Sequence, residues 1–175
     1  MMRFKGGPTQ DEVMAVSLQK LDVRKGDVVA DIGCGTGKVA IAMGETAGKV
    51  YAVDIRKEAV EASRVNVRTW DRANVEVRQQ NGMDFLKECE QLDAAFVGGT
   101  KHLHDMLCLL KDKVRGRIVV NTVLLRSMNQ AVDSMVKLDI FKEATQVQVC
   151  RSQGLPGSIM FRPIDPVFII VGEVD

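Results

Sequence analysis

Apolar and polar positions along this chain follow two rhythms that take turns. From Gln10 the apolar residues Val13, Val16, Leu18 and Leu21 recur near helical spacing, and Gly26 follows as a stop. Thr9-Gln10-Asp11-Glu12 has the T-x-x-E form of a capping box behind Pro8, which predicts a helix start near Gln10. Next come short apolar runs bounded by glycine and polar clusters, alternating with amphipathic stretches. They predict strands at 28–32, 49–54, about 74–79, 93–97 and 116–123. Between and after them the spacing predicts helices at about 37–47, 57–69, 83–90, 102–112 and 128–138.

The tail breaks this alternation. Segments 143–151 and 166–174 both have strand character, with Gly154, Pro156, Gly157 and Pro163 between them and no helical pattern. Strands joined without a helix pair antiparallel. The expectation is an α/β fold: a Rossmann-like, doubly wound, mostly parallel seven-stranded sheet closed by an antiparallel C-terminal hairpin. No internal repeat, linker or low-complexity segment divides the 175 residues, so residues 1–175 are expected to form one domain.

Composition narrows the class without naming a chemistry. Hydrophobic residues at 46% and charged residues at 27% match a globular domain, so disorder is not expected beyond the first few residues. A net charge of +1 gives no long-range field for a polyanion, and no nucleic-acid partner is expected. Cys34, Cys89, Cys108 and Cys150 form no C-x-x-C pair and no metal-ligand cluster, which fits reduced thiols and a cytoplasmic protein. The start, Met1-Met2-Arg3-Phe4-Lys5, has no apolar signal region, no run reaches the length of a membrane span, and no membrane partner is expected.

The chemistry concentrates at Asp31-Ile32-Gly33-Cys34-Gly35-Thr36-Gly37, where a strand passes through a glycine turn into a helix. A nicotinamide fingerprint would read G-x-G-x-x-G, but here the glycines stand at 33, 35 and 37 and Lys38 follows. That D-x-G-x-G-x-G spacing resembles the turn of S-adenosylmethionine (SAM)-dependent methyltransferases. In such a turn the glycines let the backbone approach a ligand closely, and the helix start offers unpaired N–H groups to a carboxylate. Asp54 closes the next strand about twenty residues on, where an acid binds ribose hydroxyls; alternatively it caps the helix starting near Lys57. After the third strand, Asn81-Gly82 stands where adenine would lie, or forms an ordinary Asn-Gly turn.

Several further segments sharpen the likeness. They are Gly6-Gly7-Pro8-Thr9, Phe96-Val97-Gly98-Gly99, Ile118-Val119-Val120-Asn121-Thr122-Val123-Leu124, Arg151-Ser152 and Asp165-Pro166-Val167-Phe168-Ile169-Ile170. In this order they resemble, over essentially the whole chain, the decarboxylating precorrin C-15 methyltransferases of cobalamin synthesis. The resemblance implies SAM as cofactor and cobalt-precorrin-6B as substrate, methylated at C-15 with loss of CO2 from the C-12 acetate. It also implies a homotetramer, and a role for the Thr9 hydroxyl at the cofactor beside the glycine turn, Asp54 and Gly82. One departure stands out: Thr100-Lys101-His102-Leu103-His104 follows Gly98-Gly99 where the family is rich in glycine and serine. This loop borders the acceptor site.

For the acceptor, the acetates and propionates of such a tetrapyrrole call for cations, and Lys101, Arg151 and Arg162 stand at strand ends or loops. Asn121 interrupts a very apolar strand, either to orient substrate or to satisfy buried backbone. His102 and His104 are candidate proton donors; spaced i, i+2, they do not share a helix face, and no metal is expected. Methyl transfer needs no dedicated base when an electron-rich ring carbon attacks, so few catalytic residues are expected. Two rivals are weaker. A methyltransferase acting on tRNA or another small molecule would share the cofactor turn, but Val97-Gly98-Gly99-Thr100 lacks the Pro-Pro-aromatic run of nucleic-acid amino-methylating enzymes. A non-catalytic scaffold would not need Asp31, the three glycines and Asp54 together.

Overall fold

The computed structural model describes residues 9–174, so Gly6, Gly7 and Pro8 lie outside the described residues. The first half of the chain alternates as the pattern predicts: α1 (Asp11–Leu21), β1 (Val28–Ile32), α2 (Lys38–Met43), β2 (Lys49–Asp54), α3 (Lys57–Thr69) and β3 (Val75–Gln79). It continues through α4 (Gly82–Glu88), β4 (Ala94–Val97), α5 (Leu103–Lys113), β5 (Arg117–Thr122) and α6 (Leu125–Lys137). Four strands complete the chain: β6 (Phe141–Val147), β7 (Cys150–Leu155), β8 (Ser158–Pro163) and β9 (Val167–Glu173).

Seven strands form one sheet in the order β3-β2-β1-β4-β5-β9-β6. β1 to β5 run parallel, and β9 lies antiparallel between β5 and β6. The sheet order turns back at β1, which pairs with β2 on one side and β4 on the other. A crevice therefore opens beyond the carboxyl ends of these strands.

Each face of the sheet is covered, which is why the central strands read as unbroken apolar runs. Val29, Val50, Ala94, Val119 and Ile169 pack towards α1, α2 and α3. Their neighbours Ala30, Ala95, Val120 and Ile170 point the other way, towards α4, α5 and α6. The same alternation assigns the polar residues. Asp31 shares the face of Val29 and so meets α2, while Asn121 shares the face of Val119 and meets α1.

Three local expectations differ from the structure. The N-cap of α1 is Gln10, without a side-chain hydrogen bond, and the capping box does not form because Glu12 is drawn to Arg151 of β7. Helix α6 starts at Leu125, earlier than the expected 128, because Leu125 lies at the surface and adds no inward-facing position to the pattern, with Leu124 before it still extended. The stretch expected as a loop between the tail strands is itself a hairpin. β7 pairs with β8 from Cys150↔Pro163 to Leu155↔Ser158, as a separate two-stranded sheet. Its turn is Pro156-Gly157 with φ +69° at the glycine, the composition of a type II turn.

Candidate active site

The β1–α2 turn is built around the end of β2. The amides of Gly33 and Cys34 both donate to the Val53 carbonyl, at 2.8 and 3.0 Å. The amide of Gly35 donates to Asp54 Oδ2 at 3.0 Å, so the turn and the acid are one unit. The glycines are needed first by the protein's own packing. At Gly33, with φ +81°, a Cβ would sit 2.9 Å from the Gly99 amide nitrogen, where the β4–α5 loop crosses. At Gly37, with φ +77°, it would sit 2.3 Å from Ser63 Oγ on α3.

Asp31 lies under this turn rather than in a cavity. It is 1% exposed, and its Oδ2 accepts the Ala40 amide of the first turn of α2 at 3.0 Å. Burial pushes its carboxyl up to about 7, the Ala40 bond lowers it in part, and the charge of Asp54 raises it further. Cys34 and Thr36 are also buried; burial pushes the Cys34 thiol up, and the Thr36 carbonyl accepts from Asn66 of α3 at 2.9 Å. Of the turn, Gly33 is the residue that lines the adjoining cavity.

That cavity holds about 400 Å³ beyond the ends of β1, β2 and β4, walled by Gly33, Asp54, Arg56, Asn81, Gly82 and Gly99 among others. Asp54 is the carboxylate in its wall. Burial raises the carboxyl, but the Arg56 guanidinium and the amides of Arg56 and Gly35 outweigh burial and hold it below the usual carboxylate range. Asn81 caps α4 through its Oδ1, which accepts the Met83 amide at 2.8 Å. Its NH2 group and a second lone pair remain available to a ligand. Gly82 backs onto Ile32, where a Cβ would lie 2.7 Å from the Ile32 Cγ2. Lys101 and His102 stand at the rim, His102 with φ +54° as the N-cap of α5.

A second cavity of about 530 Å³ opens alongside, over the ends of β4 and β5 and the start of β9. Phe96, Thr122, Val123, Leu124 and Asp165 contribute to its wall. Gly98 and Thr100 line both cavities, and Ser127 of α6 donates to Thr100 Oγ1 at 3.2 Å. Asn121 lines this second cavity; its Nδ2 donates to Ser17 Oγ at 2.7 Å, and its Oδ1 is buried without a partner. Thr9 lines it as well, its carbonyl accepting from Nζ of Lys38, the residue that follows the glycine turn, at 2.6 Å.

Three expected residues stand elsewhere. Arg151 lines neither cavity: its guanidinium is taken by Glu12, with Nη2 2.7 Å from Oε2 and Nε 3.2 Å from Oε1. Arg162 sits opposite it across the hairpin, exposed and outside both cavities. His104 faces α6, its Nδ1 3.0 Å from Ser134 Oγ, because a residue two positions from His102 points to another side of α5. Among the described residues no cluster of three or more His, Cys, Asp or Glu is placed to hold a metal.

The pattern reading missed Arg56 and the joint role of Thr100. Arg56 had a faint signal: two positions past Asp54 at the end of a strand, it returns to the same face. Thr100 was visible only as a departure from glycine and serine.

A doubly wound sheet with a glycine turn, a strand-end acid and two cavities that share Gly98 and Thr100 fits many activities, so comparison with known proteins decides between them. The family model described as "Precorrin methyltransferase domain" matches residues 3–172. The chain belongs to the precorrin methyltransferase family. Within it, the chain is 41% identical over 178 residues to the probable cobalt-precorrin-6B C(15)-methyltransferase (decarboxylating) of Methanosarcina mazei, covering 99% of this chain and 97% of that one. Among solved structures it matches precorrin 8W decarboxylase of Methanobacterium thermoautotrophicum with a TM-score of 0.92 at 30% identity, over 96% of this chain and 92% of the other. Precorrin-6y C5,15-methyltransferase of Geobacter metallireducens matches at a TM-score of 0.92 and 26% identity, over 98% and 94%. This precorrin methyltransferase carries the family fold throughout its described residues.

Proposed function

We propose that this family member methylates C-15 of cobalt-precorrin-6B from SAM and releases the C-12 acetate carboxyl as CO2, a step of anaerobic cobalamin biosynthesis. One observation carries the reading: the cavity bearing Asp54 and the larger cavity beside it have Gly98 and Thr100 in common in their walls. A donor in the first would meet an acceptor in the second at those residues.

The residues fit the cofactor. Asp54 offers the ribose hydroxyls a carboxylate, Asn81 and Gly82 border the adenine region, and the Gly33 backbone closes the wall. Asp31, Cys34, Gly35, Thr36 and Gly37 support this site by shaping the turn from below. When bound, SAM supplies a sulfonium methyl that passes in line to a carbon nucleophile. The chain's part is to align the two reactants and exclude water, which requires no dedicated base. Departure of CO2 leaves its electron pair in the conjugated ring, and a proton completes the new C-12 methyl.

The acceptor lies in the second cavity, against Gly98 and Thr100, with Gly99 on the side of the first. Val123 and Leu124, 56% and 59% exposed, form an apolar lip suited to a flat ring system. Asn121 orients it from below, and Lys101, at the rim shared with His102, serves its carboxylates. The chain acts as one domain in a cytoplasmic homotetramer, with no nucleic-acid or membrane partner. Four free cysteines suit a reducing compartment, and no described helix is long and apolar enough to cross a membrane. Leu155, Ile159 and Phe161, exposed on the β7–β8 hairpin, give subunits an apolar surface to bury.

The test is calorimetric titration with S-adenosylhomocysteine and then with the product-like corrinoid cobyrinic acid, for the parent protein and Asp54→Ala. Cofactor binding lost in the variant, with corrinoid binding kept in both, is the expected outcome. Cofactor binding without corrinoid affinity returns the acceptor to tRNA or another small molecule. No cofactor binding at all overturns the reading.

A further inference from the structure

Asp54 is 4% exposed, yet it is an ionised carboxylate on the wall of a ligand cavity, and its hydrogen bonds divide into two kinds. Two come from backbone amides: Gly35 to Oδ2 at 3.0 Å and Arg56 to Oδ1 at 2.9 Å. These are fixed by the glycine turn and the end of β2. The other two come from the Arg56 guanidinium, with Nε to Oδ1 at 3.0 Å and Nη2 to Oδ2 at 2.8 Å. A carboxylate offers about four lone-pair sites, two on each oxygen, so each oxygen is filled by one fixed amide and one guanidinium N–H.

We propose that Arg56 is a displaceable seal on the cofactor site, occupying the two acceptor positions of Asp54 that a vicinal diol takes when the ligand binds. The inference rests on the cofactor reading above and deepens it. Two hydroxyls replace two N–H donors, one on each oxygen, while the backbone amides stay in place. A ligand with one hydroxyl leaves one oxygen short of a partner when the fork withdraws, so the exchange itself selects for the diol. The seal also explains how a carboxylate this deeply buried stays charged before a ligand arrives. The Arg56 side chain is 50% exposed against 3% for that of Asp54, so the guanidinium has a short way out to water. In Asp54-Ile55-Arg56 the seal comes from the same strand end as the group it covers.

Removing the fork should tighten binding, because the ligand no longer has to break it. Calorimetric titration with S-adenosylhomocysteine and with its 2′,3′-dideoxy analogue compares the parent, Arg56→Ala and Arg56→Lys. Arg56→Ala should bind the diol ligand about fivefold or more tightly than the parent, since a bidentate pair to a buried carboxylate exceeds an ordinary surface pair. Binding of the dideoxy analogue, which has no diol to drive the exchange, should not change. Arg56→Lys, which keeps the charge and loses the fork, should fall between. Equal or weaker binding of S-adenosylhomocysteine by Arg56→Ala overturns the seal while the cofactor reading stands. An equal gain for both ligands also overturns it, since Arg56 would then merely fill space. No binding by parent or variants removes the cofactor reading and the seal together. If Arg56→Ala does not fold, the parent protein suffices: the Arg56 Nε–H should exchange with water more slowly in the free protein than after S-adenosylhomocysteine is added. A proton that stays protected overturns the proposal.

Discussion

Replacing Gly37 by Ala tests why the turn carries glycine at its last position. Gly37 sits at φ +77°, and an added Cβ would lie 2.3 Å from Ser63 Oγ, 3.2 Å from Ser63 Cβ and 3.4 Å from Ser63 Cα. Two costs follow. The left-handed backbone costs an alanine roughly 1 kcal/mol or somewhat more. Overpacking against α3 adds about 1–3 kcal/mol, because Ser63 is fully buried on a helix held by Val60, Ala59 and Val67 and cannot retreat. The second cost alone depends on the hydroxyl. Ser63 Oγ is buried without a hydrogen-bond partner of good geometry, the Cys34 thiol beside it being a weak one, so Ser63→Ala should be close to neutral. In the Ser63→Ala background Gly37→Ala should therefore cost about 1–2 kcal/mol less than it does alone. Urea unfolding by circular dichroism, at one protein concentration for the parent, both singles and the double, measures this coupling. Equal cost in the two backgrounds would refute the steric account and leave backbone conformation as the whole reason for the glycine.

Other outcomes follow from the same geometry. Asp31 carries a pKa raised by burial from 3.8 to about 7, so the folded state keeps the proton longer than the unfolded chain, and stability from this group is present at low pH and lost as pH rises towards 7. Asp31→Asn, which can still accept the Ala40 amide, should gain on the parent steadily over that window and then level off; a difference independent of pH would contradict this. Arg151→Ala should free the β7–β8 hairpin from α1, raising hydrogen exchange in residues 150–163 while leaving S-adenosylhomocysteine affinity unchanged. His104→Gln should retain full turnover in a methyl-transfer assay, since the imidazole faces Ser134 on the far side of α5; a large loss of turnover would return it to the active site.

The parallel half of the fold was legible because both faces of its central strands are buried. Runs such as Val28-Val29-Ala30-Asp31-Ile32 have no alternative place in a domain of this size, and their limits match the structure closely. The glycine turn and Asp54 were legible because backbone approach and charge placement leave residue types at fixed spacing. The β7–β8 hairpin was not. All twelve of its strand residues are exposed, so no burial pattern marks them, and Pro156-Gly157 signals a turn without saying that strands flank it. Arg151 and Arg162 had the right chemistry for carboxylates, but only three dimensions show one of them committed to Glu12. The Thr9 role came from resemblance alone; the structure shows its carbonyl held by Lys38 and its place on the wall of the second cavity. Arg56 left only the faint signal of standing two positions past Asp54, since its role depends on which lone pairs of Asp54 the backbone leaves open.

The position of β9 inside the sheet has a consequence for the newborn chain. β6 is synthesised before β9 but can join the sheet only through it, and the Arg117–Glu173 contact spans 56 residues. Until Val167–Glu173 emerges, β5 holds out a bare edge carrying Ile118, Val119 and Val120, able to pair with any extended segment nearby. The glycine turn and Asp54 belong to strands already paired by then, so the ligand-binding half can assemble on the ribosome ahead of the rest. Cofactor captured at that stage would hold the half-built sheet together while the last strand is made.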